Sequence, residues 1–359
     1  MRIAFLDSWL RNAVDGSGTA AAINGLGRAL QQQGHQVTRF GPFTERPANL
    51  TLRRLLFNLQ LPALLQTLHY DLIVGFDIDG FLWSRRGGNT PYVCCIKGVS
   101  AEELLHEQGR TQALFRVLSQ LERHNARNAD LVITTTAYAR SAIGRHYGVP
   151  GRRVRLIPEG VDLTRFAQIA AETPRQSDGC TILCVARQYP RKHIADLLRA
   201  MAIVRRRVPD AHTVIIGDGP EHDNLRALAT ELQLGNGVEF LGALPDDDEV
   251  RRWYRRADIF CLPSVQEGFG MVFVEAMASG LPIVATTATA IPEVVPRNRA
   301  GLLVPPAYPE ALAGALLELL NNSEERAIFG AFGQQHVQQY EWQRVARQFL
   351  AAVAPLVQG

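Results

Sequence analysis

The chain has 359 residues, of which 47% are hydrophobic and 20% charged, and its formal net charge is +3 at pH 7. This length predicts two domains, because single hydrophobic cores stop growing near roughly 250–300 residues. The small net charge argues against a nucleic-acid-binding protein, and the sequence lacks the run of ~20 apolar residues that a transmembrane helix needs.

The opening stretch MRIAFLDSWL is interpreted as a first strand, since a short apolar run soon reaches Asp7. It has no small-residue cleavage pattern, so a signal peptide is not expected. The five cysteines include no CxxC pair and are expected to be buried small hydrophobic residues. These features favour a cytoplasmic protein, with peripheral association to the inner face of the cell membrane left open.

Short β-rich apolar runs alternate with longer helical segments, which is the pattern of βαβ units around a parallel sheet. In the first half, strands are predicted at residues 3–6, 36–40, 71–76, 92–96 and 131–135. In the second half, strands are predicted at residues 154–158, 181–186, 212–217, 238–242, 259–262, 282–286 and 301–304. The predicted fold class is therefore α/β, with two doubly wound parallel-sheet domains.

The predicted domains cover residues 1–155 and 156–341. The boundary is expected between Tyr147 and strand 181–186, where GVPGRR and later AETPRQSDG concentrate Gly, Pro and polar residues. The final helix, residues 342–359, is left open between the two domains, with packing back onto the first as one alternative. Two open parallel sheets that face one another form an interdomain cleft, with ligands bound outside the carboxyl ends of the strands.

The segment TLRRLLFNLQLPALLQTLHY, residues 51–70, is leucine-rich and carries a basic pair. Its pattern fits an amphipathic helix at a membrane surface, but packing against the first sheet is favoured. Pro62 is expected to divide the segment. Residues 1–150 contain 16 basic and 11 acidic residues, so this half is the one expected to approach an acidic partner.

Charged residues and glycines collect after the strands of the second half. Arg187 follows strand 181–186, and Lys192 lies five residues further on. The other members of this group, each after or at the end of a strand, are Gly217, Gly219, Gly242 and Glu267. Because carboxyl ends of parallel strands share one edge, the pattern predicts a crevice for a phosphorylated ligand.

The stretch SVQEGFGMVFVEAMASGLP, residues 264–282, contains the two glutamates Glu267 and Glu275. A helix is predicted over GMVFVEAMAS with Gly280 at C′, and its first turn can bind an anion without a metal. Glu267 precedes this helix and Glu275 lies within it, which disfavours a shared-proton acid pair. The alternative is a solvated loop glutamate and a helix acid that favours the helix dipole.

These motifs resemble the donor-site signature of the retaining GT-B glycosyltransferases of family 4. The similarity covers nearly all of residues 155–310 and, more loosely, the first half. The stretches that carry it are EGVDLTRF (159–166), VARQYPRKHIADLLRA (185–200), IIGDGP (215–220), VEFLGAL (238–244), SVQEGFGMVFVEAMASGLPIVAT (264–286) and IPEVV (291–295).

The resemblance implies that Arg187 and Lys192 bind the donor diphosphate, Glu275 the ribose and Glu267 the donor sugar. Arg187, Lys192 and Glu267 are thus the expected catalytic residues. The expected donor-binding residues are Gly16, Gly18, Gly217, Gly219, Leu241, Gly242, Gly268, Phe269, Gly270, Met271, Val272 and Glu275. Among them, Leu241 and Gly242 would lie beside the base, and Gly16 and Gly18 belong to a glycine loop of the first domain.

Two positions depart from the family pattern. Lys97 stands where the family often has His or Asp, and Thr289-Ala290 replaces the usual Gly-Gly before x-Pro-Glu. Lys97 is interpreted either as a contact to the donor or acceptor or as an ordinary loop lysine.

The resemblance implies transfer of a hexosyl group from a nucleotide diphosphate sugar, expected to be a UDP-sugar, with retention and without metal or cofactor. The expected acceptor is a glycan or lipid-linked molecule of cell-envelope or polysaccharide biosynthesis. Two alternatives stay open. One is an NAD(P)-dependent oxidoreductase, because residues 16–21 match GxGxxA. The other is a GT-B subunit that binds nucleotide sugars without catalysis.

Overall fold

A computed structural model of the chain describes residues 1–8, 18–42, 50–66, 68–83, 90–174 and 179–357. The chain divides into two compact units. The first contains Met1–Gly160 together with Trp342–Gly359, and the second contains Val161–Glu341. Each unit is built on a parallel sheet flanked by helices.

The described residues form strands and helices that alternate along most of the chain. The strands are β1 (Arg2–Leu6), β2 (Gln36–Phe40), β3 (Leu72–Phe76), β4 (Tyr92–Ile96), β5 (Leu131–Thr134), β6 (Val154–Leu156), β7 (Thr181–Val185), β8 (His212–Ile216), β9 (Val238–Gly242), β10 (Ile259–Leu262), β11 (Ile283–Thr286) and β12 (Gly301–Val304). The helices are α1 (Gly18–Gln32), α2 (Leu50–Gln66), α3 (Ser100–Glu103), α4 (Gly109–Asn128), α5 (Ala137–Ala142), α6 (Leu163–Glu172), α7 (Ile194–Val204), α8 (His222–Glu231), α9 (Asp247–Arg256), α10 (Met271–Ala278), α11 (Ile291–Val294), α12 (Pro309–Asn321), α13 (Ser323–His336) and α14 (Trp342–Val357).

The first unit has the strand order β2-β1-β3-β4-β5-β6, and its neighbouring strands are parallel. Successive side chains of a strand point to opposite faces, so β1 contributes to two cores. Ile3 and Phe5 belong to the core that includes α1 and α14, whereas Ala4 and Leu6 belong to the core that includes α2. Both faces are therefore covered, as parallel sheets require.

Strand β6 belongs to the first sheet, which corrects the assignment of residues 154–158 to the second half. Val132 of β5 pairs with Val154 of β6. The GVPGRR stretch before it lies inside the first unit, and the chain passes to the second unit after Gly160. Gly148 in that stretch has a φ of +66°, a conformation that glycine adopts without strain.

Helix α14 packs on the first unit. Val345, Phe349 and Val353 enter the same core as Ile23 and Leu30 of α1. The Trp342 ring at the start of this helix lies against Gly25 and Gly160, where an added Cβ would overlap it. The last helix thus returns to the unit in which the chain begins.

Helix α2 is continuous through Pro62, so the expected division at this residue is wrong. A proline inside a helix costs about 3 kcal/mol through its lost hydrogen bond and ring clash. Phe57, Leu61 and Leu65 lie on both sides of it and are buried in the first unit's core. Their burial, at about 1.5–3 kcal/mol each, outweighs that cost.

The second unit has the strand order β12-β11-β10-β7-β8-β9, again with parallel neighbours. From β7 the chain moves outward to β8 and β9, and then returns to β10 on the other side of β7. The strand order therefore reverses between β7 and β10. Ligands of such sheets bind at this switch point, outside the carboxyl ends of the strands. The two doubly wound units confirm the predicted α/β fold class.

Candidate functional site

The loops after β7 and β10 flank the switch point of the second sheet. The first carries Arg187 and Lys192, and the second carries Glu267 and the glycines up to the start of α10. A backbone hydrogen bond from Val265 N to Arg191 O, at 2.9 Å, joins the two loops. The prediction that these residues gather on one sheet edge is confirmed.

Lys192 and Glu267 form an ion pair in this place. Lys192 Nζ lies 2.6 Å from Glu267 Oε1, and the two side chains are only 15% and 9% exposed. The Ser264 hydroxyl donates a second hydrogen bond to the same oxygen at 2.8 Å. The pair places a cation and an oriented carboxylate side by side, which suits a ligand with both phosphate and hydroxyl groups.

The turn Gly268-Phe269-Gly270 leads directly into α10. Gly270 is the N-cap residue, with a φ of +87°, and no side chain caps the helix. The first-turn amides of Met271 and Val272 have no intrahelical acceptor, and the helix dipole gives this end partial positive charge. An oxyanion can therefore bind here. Phe269 is buried, whereas Gly268 and Gly270–Val272 are half-buried.

Glu275 lies one turn further along α10, where it is half-buried. The hydroxyl of the fully buried Tyr254 donates a hydrogen bond to Glu275 Oε2 at 3.0 Å. Burial raises the pKa of the Glu275 carboxyl above its ordinary value, although the Tyr254 hydrogen bond and Arg251 oppose this. Glu275 thus has its own partner, separate from the one of Glu267.

Arg187 is exposed at the end of β7, and its guanidinium lies 5.7 Å from the centre of the Tyr189 ring. Gly217 and Gly219 pack against the backbone that carries it. A Cβ at Gly217 would overlap the Ala186 carbonyl oxygen, and one at Gly219 would lie 2.8 Å from backbone atoms of Gln188. These two glycines therefore determine the course of the chain at Arg187.

Leu241 and Gly242 end β9 and are both half-buried. Gly242 has a φ of +66°, and its carbonyl accepts a hydrogen bond from Gly217 N at 2.7 Å. The ends of β8 and β9 are therefore joined beside the Arg187 loop.

The remaining predicted residues, Gly16, Gly18 and Lys97, belong to the first unit. Gly18 is the exposed first residue of α1, and Gly16 lies outside the described residues. Lys97 Nζ is paired with Glu159 Oε1 at 2.7 Å, and both side chains are largely buried. Burial by itself would lower the pKa of Lys97, but the Glu159 carboxylate outweighs it and the pKa is raised.

Four further residues shape the site and were not predicted from the sequence. Ser264 and Tyr254 orient the two glutamates, and Thr289 binds the backbone of Glu267. Gln188 is fully buried, and its side-chain amide donates to Gly217 O at 2.7 Å. Gln188 follows Arg187 directly, and a polar residue at a strand end is a sequence feature that could have indicated its role at the site. The other contacts depend on long-range packing.

Among the described residues, no group of three or more His, Cys, Asp or Glu side chains is placed to hold a metal ion. In the same part of the chain, none of the helices combines the length and apolar character needed to cross a membrane.

Two family models match the chain in succession. Residues 16–165 match the model described as Glycosyltransferase Family 4, and residues 166–336 match the one described as Glycosyl transferases group 1. The border between the two matches falls close to the border between the two structural units.

Several curated relatives are bacterial glycosyltransferases. A GDP-mannose-dependent alpha-(1-6)-phosphatidylinositol monomannoside mannosyltransferase of Mycolicibacterium smegmatis is 31% identical over 77% of this chain and 72% of its own length. The protein of the same name from Mycobacterium tuberculosis is 32% identical over 67% of this chain, but the match spans only 65% of that relative. A D-inositol 3-phosphate glycosyltransferase of Corynebacterium urealyticum is 29% identical over 75% of this chain and 66% of its own length.

Solved structures of low identity share the fold. Sucrose-phosphate synthase from Thermosynechococcus elongatus superposes with a TM-score of 0.84 over 99% of both chains at 24% identity. HepE from Anabaena, in complex with UDP-glucose, gives a TM-score of 0.73 at 22% identity over 99% of this chain and 100% of its own. The fold is GT-B, as predicted, and the dinucleotide oxidoreductase alternative has no support. The chain belongs to glycosyltransferase family 4.

Proposed function

We propose that the protein transfers a hexosyl group from a nucleotide diphosphate sugar to a glycan or lipid-linked acceptor, with retention at the anomeric carbon. One observation carries this proposal: the Lys192–Glu267 pair lies beside the uncapped first turn of α10 at the switch point of the second sheet. A phosphate and an adjacent sugar are the groups that this combination of charges and amides recognises.

The cations act on the leaving group. Cleavage of the bond between sugar and phosphate places negative charge on the departing diphosphate, and Arg187, Lys192 and the α10 amides stabilise it. A lysine has three N–H donors, and Glu267 takes one of them, so the others are available to a phosphate oxygen. The pair thus holds the cation in place before the donor binds.

The two glutamates bind different parts of the donor, one on either side of the diphosphate. Glu267 accepts hydrogen bonds from hydroxyls of the transferred sugar, and Glu275 accepts them from the ribose. In a front-face substitution the departing phosphate takes the acceptor's proton. The proposed reaction therefore needs neither a metal ion nor a protein base.

Two classes of donor, which differ in their nucleobase, are supported for this chain. A UDP-sugar is the donor expected from the sequence. The relatives at 31–32% identity are named GDP-mannose-dependent enzymes, which supports GDP-mannose as the competing donor. Their names also support an inositol-containing or glycolipid acceptor for this chain.

Peripheral membrane contact is proposed for α2. Its core-facing side buries Phe57, Leu61 and Leu65, as favoured from the sequence, but Leu52, Leu56 and Leu59 are 48%, 41% and 63% exposed. Their spacing places them on one helical face.

Sedimentation with anionic lipid vesicles tests this contact. The double variant Leu56→Ser/Leu59→Ser is expected to bind less. Leu105→Ser, which changes another exposed leucine of this unit, is expected to bind as wild type does. Wild-type protein that stays in the supernatant would rule the contact out.

A thermal-shift screen of UDP-, GDP- and ADP-sugars tests the proposed function, followed by nucleotide-release assays on each hit. Stabilisation by a nucleotide sugar together with acceptor-dependent release of the nucleotide supports the proposal. Stabilisation without release in any acceptor mixture would support the non-catalytic subunit, and stabilisation by NAD alone would refute sugar transfer.

A further inference from the structure

The Thr289 side chain forms hydrogen bonds with both the backbone N–H and the backbone C=O of Glu267. The Thr289 hydroxyl accepts a hydrogen bond from Glu267 N at 2.9 Å and donates one to Glu267 O at 3.1 Å. Thr289 lies in the loop after β11, and Glu267 lies in the loop after the neighbouring strand β10. One side chain of the adjacent loop therefore fixes the peptide groups on both sides of Glu267.

The backbone of Thr289 is strained. Its φ is +48°, in the left-handed region that β-branched residues rarely occupy. Such a conformation costs on the order of 1–3 kcal/mol and persists where the surrounding structure enforces it. Glycine would adopt the same φ without this cost, but it has no hydroxyl to bind Glu267. The observed hydrogen bonds offset the strain of the threonine.

The Glu267 loop is held at a second point by the same neighbouring segment. Thr286 donates a hydrogen bond to Ser264 O at 2.6 Å, and Ser264 in turn donates to Glu267 Oε1. Within the described part of the chain, Ser264 and Lys192 donate hydrogen bonds to the Glu267 carboxylate, and both reach Oε1. The other oxygen, Oε2, is the one that remains for a ligand.

From this geometry we infer that Thr289 is a positioning residue of the transfer reaction, acting through Glu267. Its hydroxyl fixes the Glu267 backbone, so that the carboxylate presents Oε2 to the transferred sugar in one orientation. The inference rests on the proposed function, in which Glu267 binds that sugar. Because Arg187, the α10 amides and Glu275 also bind the diphosphate and ribose, loosening Glu267 lowers kcat more than it weakens donor binding.

Two substitutions separate positioning from folding. Thr289→Gly removes the hydroxyl but also relieves the strained φ, so the variant is expected to fold with a Tm close to that of wild type. Its kcat is expected to fall by about tenfold to a hundredfold, the range for a misplaced catalytic group, with donor KM within about twofold of wild type. Thr289→Ser retains the hydroxyl and is expected to retain kcat within about threefold.

A neighbouring threonine provides the matched control. Thr287 is exposed two residues earlier in the same loop, and Thr287→Gly adds comparable backbone freedom without touching Glu267. This variant is expected to have wild-type kcat. A Thr289→Gly enzyme as fast as wild type, or a Thr289→Ser enzyme as slow as Thr289→Gly, overturns the inference.

Amide hydrogen exchange provides a readout that does not depend on activity. Peptides that contain residues 265–268 are expected to exchange faster in Thr289→Gly than in wild type, Thr289→Ser or Thr287→Gly. Unchanged exchange in Thr289→Gly would refute the inference about Thr289 but not the proposed function. Wild-type protein that releases no nucleotide from any donor instead refutes the proposed function, even where the exchange result shows that Thr289 holds the loop.

Discussion

Lys192 and Glu267 depend on one another at the candidate site. Both side chains are mostly buried, so loss of either partner leaves the other charge without compensation. Lys97 and Glu159 form a second largely buried pair in the first unit. The charge of Lys97 is thus neutralised by Glu159, the first residue of the EGVD motif, which lies 62 positions further along the chain.

Glu275 offers a test of the donor's ribose contact. Glu275→Gln is expected to weaken donor binding by about tenfold, a loss of roughly 1.4 kcal/mol, and to change kcat much less. Since burial raises the pKa of Glu275, wild-type donor affinity should also fall as the pH drops and the carboxylate takes up a proton. The variant should lack this decline.

Isothermal titration calorimetry with the donor over a range of pH values measures both effects. Glu310→Gln, which changes an exposed acid in the first turn of α12, serves as the control with wild-type affinity. Equal affinity of Glu275→Gln and wild type would mean that Glu275 only favours its helix dipole.

At this residue scale the sequence indicated which residues gather at the candidate site better than it indicated their contacts. Arg187, Lys192, Glu267 and Glu275 could be selected because their motifs are distinctive. Thr289 could only be noted as a departure, because its role depends on a left-handed φ and on contact between two adjacent strand ends. Neither feature is encoded in local spacing.

Among the helices, the α1–α14 contact tests the assignment of the last helix to the first unit. Gly25→Ala in α1 would force a Cβ into the Trp342 ring and is expected to destabilise the protein by about 1–3 kcal/mol. Gly27→Ala, two residues further along the same helix, would place its Cβ 3.6 Å from Phe5, an ordinary contact.

The second variant should gain up to about 1 kcal/mol, because alanine favours the helix over glycine. Differential scanning calorimetry of the full chain should therefore show a lower Tm for Gly25→Ala and an equal or higher Tm for Gly27→Ala. Two equal shifts would contradict the packing of Trp342 on α1.

The buried carboxyl of Glu122 in α4 predicts a pH dependence of stability. It accepts hydrogen bonds from Ser100 N at 3.0 Å, from the Ser100 hydroxyl at 3.1 Å and from the Tyr147 hydroxyl. Burial, reinforced by Asp77, raises its pKa well above the ordinary value of 4.5. The folded state therefore keeps the proton at a pH where the unfolded chain has lost it.

Because the folded-state pKa is the higher one, this contribution to stability is fully present below pH 4.5 and is lost as the pH rises towards the folded-state pKa. Scanning calorimetry across this interval should show a decline of Tm in wild type that is weaker in Glu122→Gln. Glu310→Gln should decline as wild type does, and an equal decline in all three proteins would contradict a protonated Glu122.

Strands were the most predictable elements, because continuous apolar runs bounded by turn residues identify buried parallel strands. The sheet to which β6 belongs was not predictable, because its pairing with β5 follows a glycine-rich turn that also resembles a linker. The continuity of α2 likewise depends on core contacts that local propensity omits.

For the whole molecule, the first structural unit is built from two segments that are far apart in the sequence. The chain leaves the first unit after Gly160 and returns to it at Trp342, so both ends of the sequence build one unit. The second unit, Val161–Glu341, carries Arg187, Lys192, Glu267 and Glu275. The two successive family matches, to residues 16–165 and 166–336, meet close to the place where the chain leaves the first unit.

The most direct test of the central claim is the rate of acceptor-dependent nucleotide release by wild type, Lys192→Ala and Arg226→Ala. Arg226 is an exposed cation on α8 of the same unit and controls for the loss of positive charge. If Lys192 stabilises the departing phosphate, Lys192→Ala lowers kcat by about a hundredfold, as loss of one electrostatic contact to a transition state does, while Arg226→Ala equals wild type. A Lys192→Ala enzyme that releases nucleotide at the wild-type rate would contradict the proposed site.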